Sequence, residues 1–356
     1  MAYAAISKPS LHFNTKLFTG TGADNNAVTG VGFQPDILWI RQRNAMSHRL
    51  YDVIRGVNSA LNVDNSAAEN QYTQFGQLES FDSDGFTVGA GTSNGHGTNQ
   101  NSQSIVSWNW KAGGAGSSNT DGSINTTSTS VNTTAGVSVS KYTGNATGGA
   151  TVGHGLGAVP KMIVIKVLST TNNWGVYHSD MGATNAMYFD QNSQVTSDGW
   201  LNNTAPTSSV FTLSNGNYGN TNGNTHVAYC FAQKKGFSKF GGYVGNGNAD
   251  GPFIYTGFKP AFVMIKVKSG NNNHWFLFDK HRLGYNSGGS GNEYLKADTA
   301  DAESTNTNRI DILSNGFKCT TSNDGVNGNT DTYIYWAIAD EPLVANVGSS
   351  IPATAR

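Results

Sequence analysis

The chain has 356 residues, a formal net charge of −1, 37% hydrophobic and 13% charged residues, and 44 glycines. A balance this near neutrality offers no basic field to a phosphate backbone, so nucleic-acid binding is not expected, and no run reaches the roughly 20 apolar residues of a membrane-spanning helix. Low charge with 11% aromatic residues argues against disorder, and abundant Gly, Asn, Ser and Thr favour turns between short strands over helices.

The first residues, Met1 to Pro9, lack the basic start and apolar run of a secretory signal. Synthesis in a reducing cytoplasm is therefore expected, and Cys230 and Cys319, each in a strand-like segment, read as buried thiols. The first strand end, Phe18-Thr19-Gly20, leads to Phe33-Gln34-Pro35 and then to the apolar run Ile37-Leu38-Trp39-Ile40-Arg41. A turn signal, Ser83-Asp84-Gly85-Phe86, precedes the closing strand Ser104-Ile105-Val106-Ser107-Trp108-Asn109-Trp110. The same order returns as Tyr142-Thr143-Gly144, Gly157-Ala158-Val159-Pro160, Met162-Ile163-Val164-Ile165-Lys166, Ser209-Val210-Phe211 and Thr225-His226-Val227-Ala228-Tyr229-Cys230-Phe231. It returns again as Tyr243-Val244-Gly245, Gly257-Phe258-Lys259-Pro260, Phe262-Val263-Met264-Ile265-Lys266, Ser314-Asn315-Gly316-Phe317 and Thr332-Tyr333-Ile334-Tyr335-Trp336.

The pattern has physical content. Proline is tolerated at a strand's first residue, where no ladder bond is asked of its nitrogen. The continuous apolar run that follows suits a strand buried on both faces, and a base closes it each time: Arg41, Lys166, Lys266. Pro35, Pro160 and Pro260 precede Trp108, Tyr229 and Trp336 by similar spans of about 70 residues, as a repeated unit would. The expected fold class is all-β, with three tandem β-sandwich, jelly-roll-like modules related by internal repetition. The modules are placed at 1–112, 136–233 and 234–340, with a Gly/Ser/Thr/Asn-rich linker at 113–135 and an extended C-terminal arm at 341–356. The second joint has almost no slack, so the second and third modules are expected to pack as a pair and the first to be freer.

The segments Tyr142-Thr143-Gly144-Asn145, Trp174-Gly175-Val176-Tyr177-His178, Ala228-Tyr229-Cys230-Phe231-Ala232, Gly236-Phe237-Ser238-Lys239-Phe240-Gly241 and Asn246-Gly247-Asn248-Ala249-Asp250-Gly251 carry a resemblance. Together with the ending Ile351-Pro352-Ala353-Thr354-Ala355-Arg356, the text resembles an uncharacterised repeat domain of virion structural proteins in marine tailed phages, cyanophages among them. The resemblance is close over the second and third modules and looser over the first. It implies a virion surface location and a tail-fibre or surface-fibre role, and it brings no catalytic or binding residues.

No phosphate-binding loop with its lysine is present, and Asp82-Ser83-Asp84-Gly85 lacks the later ligands of a calcium loop, so it reads as a turn. His178 reads as half-buried or interfacial, without the paired spacing of a metal site. No serine, cysteine or threonine has a nucleophile-elbow context. No cofactor, metal or enzymatic activity is expected; Asp180, Asp190 and Asp198 keep open a minority reading as glycan-cleaving carboxylates. Aromatic residues in polar loops invite a binding role: Trp200 beside Asp198, Tyr218 beside Asn217, and Tyr285. A ring face next to amides and carboxylates matches both the C–H faces and the hydroxyl edges of sugars. The same rings could instead fill sandwich ends or subunit contacts. Trp39, Trp108, Trp110, Trp174, Trp275 and Trp336 read as core. The expected function is thus attachment of a tailed-phage particle to host surface polysaccharide. The expected partners are further copies of the chain (a trimer by analogy with phage fibres) and other virion proteins. A capsid decoration protein and a glycan-degrading tailspike are the alternatives.

Overall fold

The computed structural model describes residues 4–70, 76–92, 97–283, 286 and 292–342. The first sandwich contains β1 (Phe13–Thr19), β2 (Asn26–Thr29), β3 (Ile37–Gln42), β4 (Arg49–Asp52), β5 (Leu78–Asp82), β6 (Gly85–Val88) and β7 (Ser104–Trp110). The second contains β8 (Thr126–Asn132), β9 (Val137–Thr143), β10 (Ala150–Gly153), β11 (Pro160–Val167), β12 (Gly175–His178), β13 (Asn185–Tyr188), β14 (Thr196–Ser197), β15 (Val210–Leu213) and β16 (Thr225–Ala232). The third contains β17 (Ser238–Val244), β18 (Phe253–Tyr255), β19 (Phe258–Ser269), β20 (Phe276–Asp279), β21 (Asn292–Lys296), β22 (Ser304–Thr307), β23 (Ile310–Leu313), β24 (Gly316–Cys319) and β25 (Thr332–Pro342). The chain is all-β, as its composition leads one to expect, with antiparallel sheets throughout.

Three large sheets carry the architecture. Their orders are β1-β7-β3-β4, β8-β9-β16-β11-β12-β13-β14 and β17-β25-β19-β20-β21-β22. Smaller sheets, β2-β6-β5, β10-β15 and β18-β24-β23, cover one face of each. Registers agree across the three: Trp39 faces Trp108, Val164 faces Tyr229, and Met264 faces Trp336.

The apolar runs are buried on both faces for a simple reason. On β3, Leu38 and Ile40 point into the first sandwich while Ile37 and Trp39 point to a core shared by all three large sheets. On β11 the split is Ile163 and Ile165 against Met162 and Val164; on β19 it is Val263 and Ile265 against Phe262 and Met264. Strand alternation thus serves two cores at once. The six tryptophans read as core, Trp39, Trp108, Trp110, Trp174, Trp275 and Trp336, all lie in the shared core. The stacked pair Trp110 and Trp336, 5.7 Å apart, joins the first sandwich to the third.

This corrects two expectations. The first sandwich is not the freer one: Phe13 packs on Phe262, and Ala5 N–H donates to Lys235 O at 2.8 Å. The segment read as a linker at 113–135 contains β8, which extends the second large sheet beside β9. Of the expected arm, Glu341 and Pro342 belong to β25, and residues 343–356 lie outside the described residues.

Polar joints tie each large sheet to the next. His48, Trp174 and Trp275 stand just before β4, β12 and β20 respectively. His48 Nε2 bonds Lys296 O at 2.9 Å, Trp174 Nε1 donates to Asn62 O at 3.0 Å, and Trp275 Nε1 donates to Tyr188 O at 2.9 Å. His48 Nδ1 accepts from Trp39 Nε1 at 2.9 Å, which puts the ring hydrogen on Nε2. The backbone N–H groups of the same three residues are held by Asp64, Asp190 and Asp298.

The closing bases behave alike. Buried Arg41, Lys166 and Lys266 reach Asp301 O, Ser66 O and Gln191 O in the neighbouring sandwich. Burial pulls Lys166 down to about 8 and Lys266 to about 7. At the opposite ends of the sheets, Asp52 takes Arg55 Nε at 2.6 Å and Tyr229 Oη at 2.7 Å. Asp279 takes Arg282 Nε at 2.6 Å and Trp108 Nε1 at 3.1 Å. His178 holds the equivalent place in the second sheet, where its Nε2 bonds Tyr335 O at 3.2 Å. These links join first with third, first with second and second with third, so the three close into a ring.

Candidate functional site

Two of the loop aromatics singled out from sequence, Trp200 and Tyr218, meet at one end of the second sandwich. Tyr188, the last residue of β13, donates to Asp198 Oδ2 at 3.1 Å, and its hydroxyl also lies 3.1 Å from that of Tyr218. The two rings are 5.2 Å apart and tilted by 46°. Asp198 follows the short strand β14, and its N–H donates to Thr184 O at 3.2 Å.

Tyr218 sits in a single 3₁₀ turn, Asn217–Gly219, with φ +28° and ψ −53°. A non-glycine residue there stores strain of order 1–3 kcal/mol and persists only when its surroundings impose it. They do. Asn220 Nδ2 donates to Thr147 O at 3.0 Å and to Ser214 O at 2.8 Å, and Tyr142 Oη donates to Gly219 O at 2.7 Å. Beneath the turn, a side-chain carbon added to Gly175 would lie 3.4 Å from Tyr218 Cβ and 3.8 Å from Trp200 Cε2, so Gly175 gives both residues their room.

Trp200 therefore belongs to this cluster, but not as the exposed ring expected. It is 2% exposed and packs in the second sandwich core with Leu201, Phe211 and Leu213. A saccharide cannot stack on it; it supports the site from below. Tyr218 and Asp198 are half-buried, and Tyr218 packs against the second sandwich core. Asn217 contributes its backbone to the strained turn, and its side chain, like all of Tyr285, lies outside the described residues. Tyr188 was missed from sequence because its neighbours Ala186 and Met187 are core residues and the strand reads as packing.

Burial, then the neighbouring Tyr218 and Asp198, push the Tyr188 phenol well above its ordinary range, so it stays protonated and donates. The three aspartates considered for glycan cleavage have separate hydrogen-bond partners. Asp190 accepts from Trp174 N–H at 3.0 Å, and burial raises it to about 6. Asp180 N–H donates to His178 Nδ1 at 3.2 Å, while Asp198 serves Tyr188. Among the described residues, no group of three His, Cys, Asp or Glu is placed to share a metal ion.

Residues 8–342 match the family model described as Domain of unknown function (DUF7483), and the chain belongs to that family. No curated protein and no solved structure matches it.

Proposed function

We propose, from a family whose description assigns no activity and from the construction described above, that this chain is a virion surface protein. In this reading it is a tail-fibre or surface-fibre component built of three tandem copies of one sandwich and used for attachment to host glycans. The virion assignment rests on the sequence resemblance. The observation that supports a structural, adhesive role is the closed ring of polar joints. Buried Asp52, Asp279, Lys166 and Lys266 are all engaged in holding one sandwich to another. A ring locked in this way keeps its loop ends in fixed relative positions, and multivalent attachment by weak contacts needs that rigidity.

The Tyr188–Tyr218–Asp198 cluster is the proposed contact with host polysaccharide, offering two phenol rings, two hydroxyls and a carboxylate. Further copies of the chain, with a trimer favoured for a fibre, are among the proposed partners. Other virion proteins remain the proposed partners.

The test is to label intact particles with gold-conjugated antibody to this chain. Label along fibres or the tail supports the proposal, label over the head replaces it with a decoration role, and unlabelled particles overturn it. Incubation with host polysaccharide separates attachment from cleavage, since chain shortening belongs to a tailspike alone.

A further inference from the structure

The third sandwich exposes two large rings where its neighbours expose none. Strand β18 lies at the edge of its small sheet, and its central residue, Ile254, is 6% exposed and packs in the third sandwich core. On either side of it, Phe253 and Tyr255 are 46% and 52% exposed. Register identifies the equivalent residues elsewhere. Ile254 faces Phe317, as Val28 faces Phe86 and Val152 faces Phe211. The buried member is thus apolar in all three sandwiches. The outward members are Ala27 and Thr29 in the first, Thr151 and Gly153 in the second, and Phe253 and Tyr255 in the third. Packing of the sandwich therefore does not require the two rings. Exposing them at an open sheet edge carries a cost in solubility.

Each ring lies close to a glycine. Phe253 lies over Gly316: its Cε2 is 3.0 Å from where a side-chain carbon on that glycine would stand. The Tyr255 hydroxyl lies 3.5 Å from the corresponding point on Gly257. Lys239 Nζ donates to Tyr255 O at 2.9 Å and sits 5.3 Å from the Tyr255 ring centroid, which fixes that ring from one side. At the other end Lys318, opposite Phe253 in register, is paired with Asp250, and Asp250 N–H is held by Asn248 Oδ1 at 2.9 Å.

We propose that the outer face of β18 is a second saccharide-binding platform, in which Phe253 and Tyr255 stack on the C–H faces of adjacent sugars in a neutral glycan. Residues two apart on a strand are about 7 Å apart, so the two rings can lie against sugars of one extended chain together. Asp250, Asn248 and Lys318 supply acceptors and donors for hydroxyls at one end. Lys318 is paired with Asp250, which leaves Lys239, held by Tyr255 O, as a single cation beside the rings and not a cluster, and this favours a neutral ligand over a polyuronate. The proposal deepens the attachment reading above and rests on it, at a site remote in sequence from Tyr218.

The test uses the full chain labelled with fluorotyrosine, in which the Tyr255 and Tyr218 fluorine resonances are assigned by their loss in Tyr255→Phe and Tyr218→Phe. The probes are neutral hexasaccharides (glucan, mannan and galactan series) and a hexauronate, all at millimolar concentration. A neutral hexasaccharide is expected to shift the Tyr255 resonance, and Phe253→Ala is expected to weaken that response at least tenfold, with an unchanged melting temperature because the ring is exposed. A Tyr255 resonance that moves with no neutral probe, or with the uronate alone, overturns the proposal. So does concentration-dependent dimerisation that Phe253→Ala abolishes, since the rings would then serve contact between copies of the chain. The Tyr218 resonance reports the first site in the same spectrum, so failure at one site is distinguished from failure at the other.

Discussion

The ring of joints makes a sharp energetic claim that Asp279→Ala tests. The Asp279 carboxylate accepts from Arg282 Nε at 2.6 Å, Trp108 Nε1 at 3.1 Å, and the backbone N–H groups of His281 and Arg282 at 3.0 Å each. Removing it leaves the buried Arg282 guanidinium with Glu303 at 2.8 Å and Leu277 O at 2.9 Å. Breaking a buried ion pair costs about 3–5 kcal/mol, and an orphaned indole N–H adds about 1–3 kcal/mol. Because Glu303 still compensates the charge, we predict a loss of about 4 kcal/mol, toward the low end of that sum. With a urea slope near or above about 3 kcal/mol/M for a chain of this size, the midpoint falls by roughly 1 M. The assay is urea unfolding followed by far-ultraviolet circular dichroism and by tryptophan fluorescence. Trp108 belongs to the core shared by all three large sheets, so both probes should move together in one transition. A loss under about 1 kcal/mol would refute the assigned energetics. An early transition confined to part of the signal would refute the shared core.

Acid should loosen the structure before it protonates most carboxylates. Burial lowers His178 and His226 to about 4 and His48 well below 6.5, so the unfolded chain binds more protons between pH 4 and 6.5. Stability is then fully present above pH 6.5 and lost as pH falls toward 4. His178 and His226 contribute about 3 kcal/mol each, and Asp190, raised to about 6, returns a similar amount to one of them. Unfolding midpoints that stay level from pH 7 to pH 4.5 would contradict this. Trp200→Ala should cost about 3–5 kcal/mol as a core truncation, whereas Tyr218→Phe, losing one half-exposed hydroxyl contact, should cost under about 1.5 kcal/mol; comparable melting temperatures would place Trp200 at the surface. Cys230 and Cys319 are buried with thiols pushed upward, the second to about 12, so a thiol reagent at pH 8 should label neither in the native chain and both in urea. Gly122→Ala would bring its methyl within 2.4 Å of Thr151 O, and hydrogen exchange at Ile124 N–H should quicken as that segment lifts from β10; unchanged protection would show the contact to be soft.

The strands most visible in the sequence are those buried on both faces. The runs at 37–41, 162–166 and 262–266 are continuous because their alternate residues enter two different cores. Strand β8 escaped because its inward side chains are hydroxyls. Thr126 and Thr129 bond each other at 2.9 Å, and Thr129 bonds Ser140 at 3.0 Å, a polar ladder that no hydrophobic pattern reveals. Trp200 was misjudged for a related reason, since its polar sequence neighbours said nothing of Phe211 and Leu213, which fold over it. The joints were invisible on other grounds. The closing bases could be counted, but their partners lie 100 residues away for Lys166 and 260 for Arg41, and only closure of the ring brings them into reach.

Glycine-rich text between the first two sandwiches suggested slack, and the structure gives those glycines another cause. A side-chain carbon at Gly116 would stand 2.5 Å from Thr129 O, and one at Gly122 would stand 2.4 Å from Thr151 O. The segment is glycine-rich because it must lie against backbone, a use of glycine distinct from flexibility. There it covers the outer edge of β10: Ile124 N–H donates to Thr151 O at 2.9 Å, and Ser123 and Thr151 exchange two further bonds. Open strand edges invite pairing with other chains, and proteins cover them or keep them short and polar. The second sandwich covers its edge, and the first lines its own with Asn26, Ala27 and Thr29. Only β18 sets two aromatic rings at the equivalent edge. The equivalent edges of the neighbouring sandwiches carry no such rings, and the proposed glycan contact would give Phe253 and Tyr255 their use.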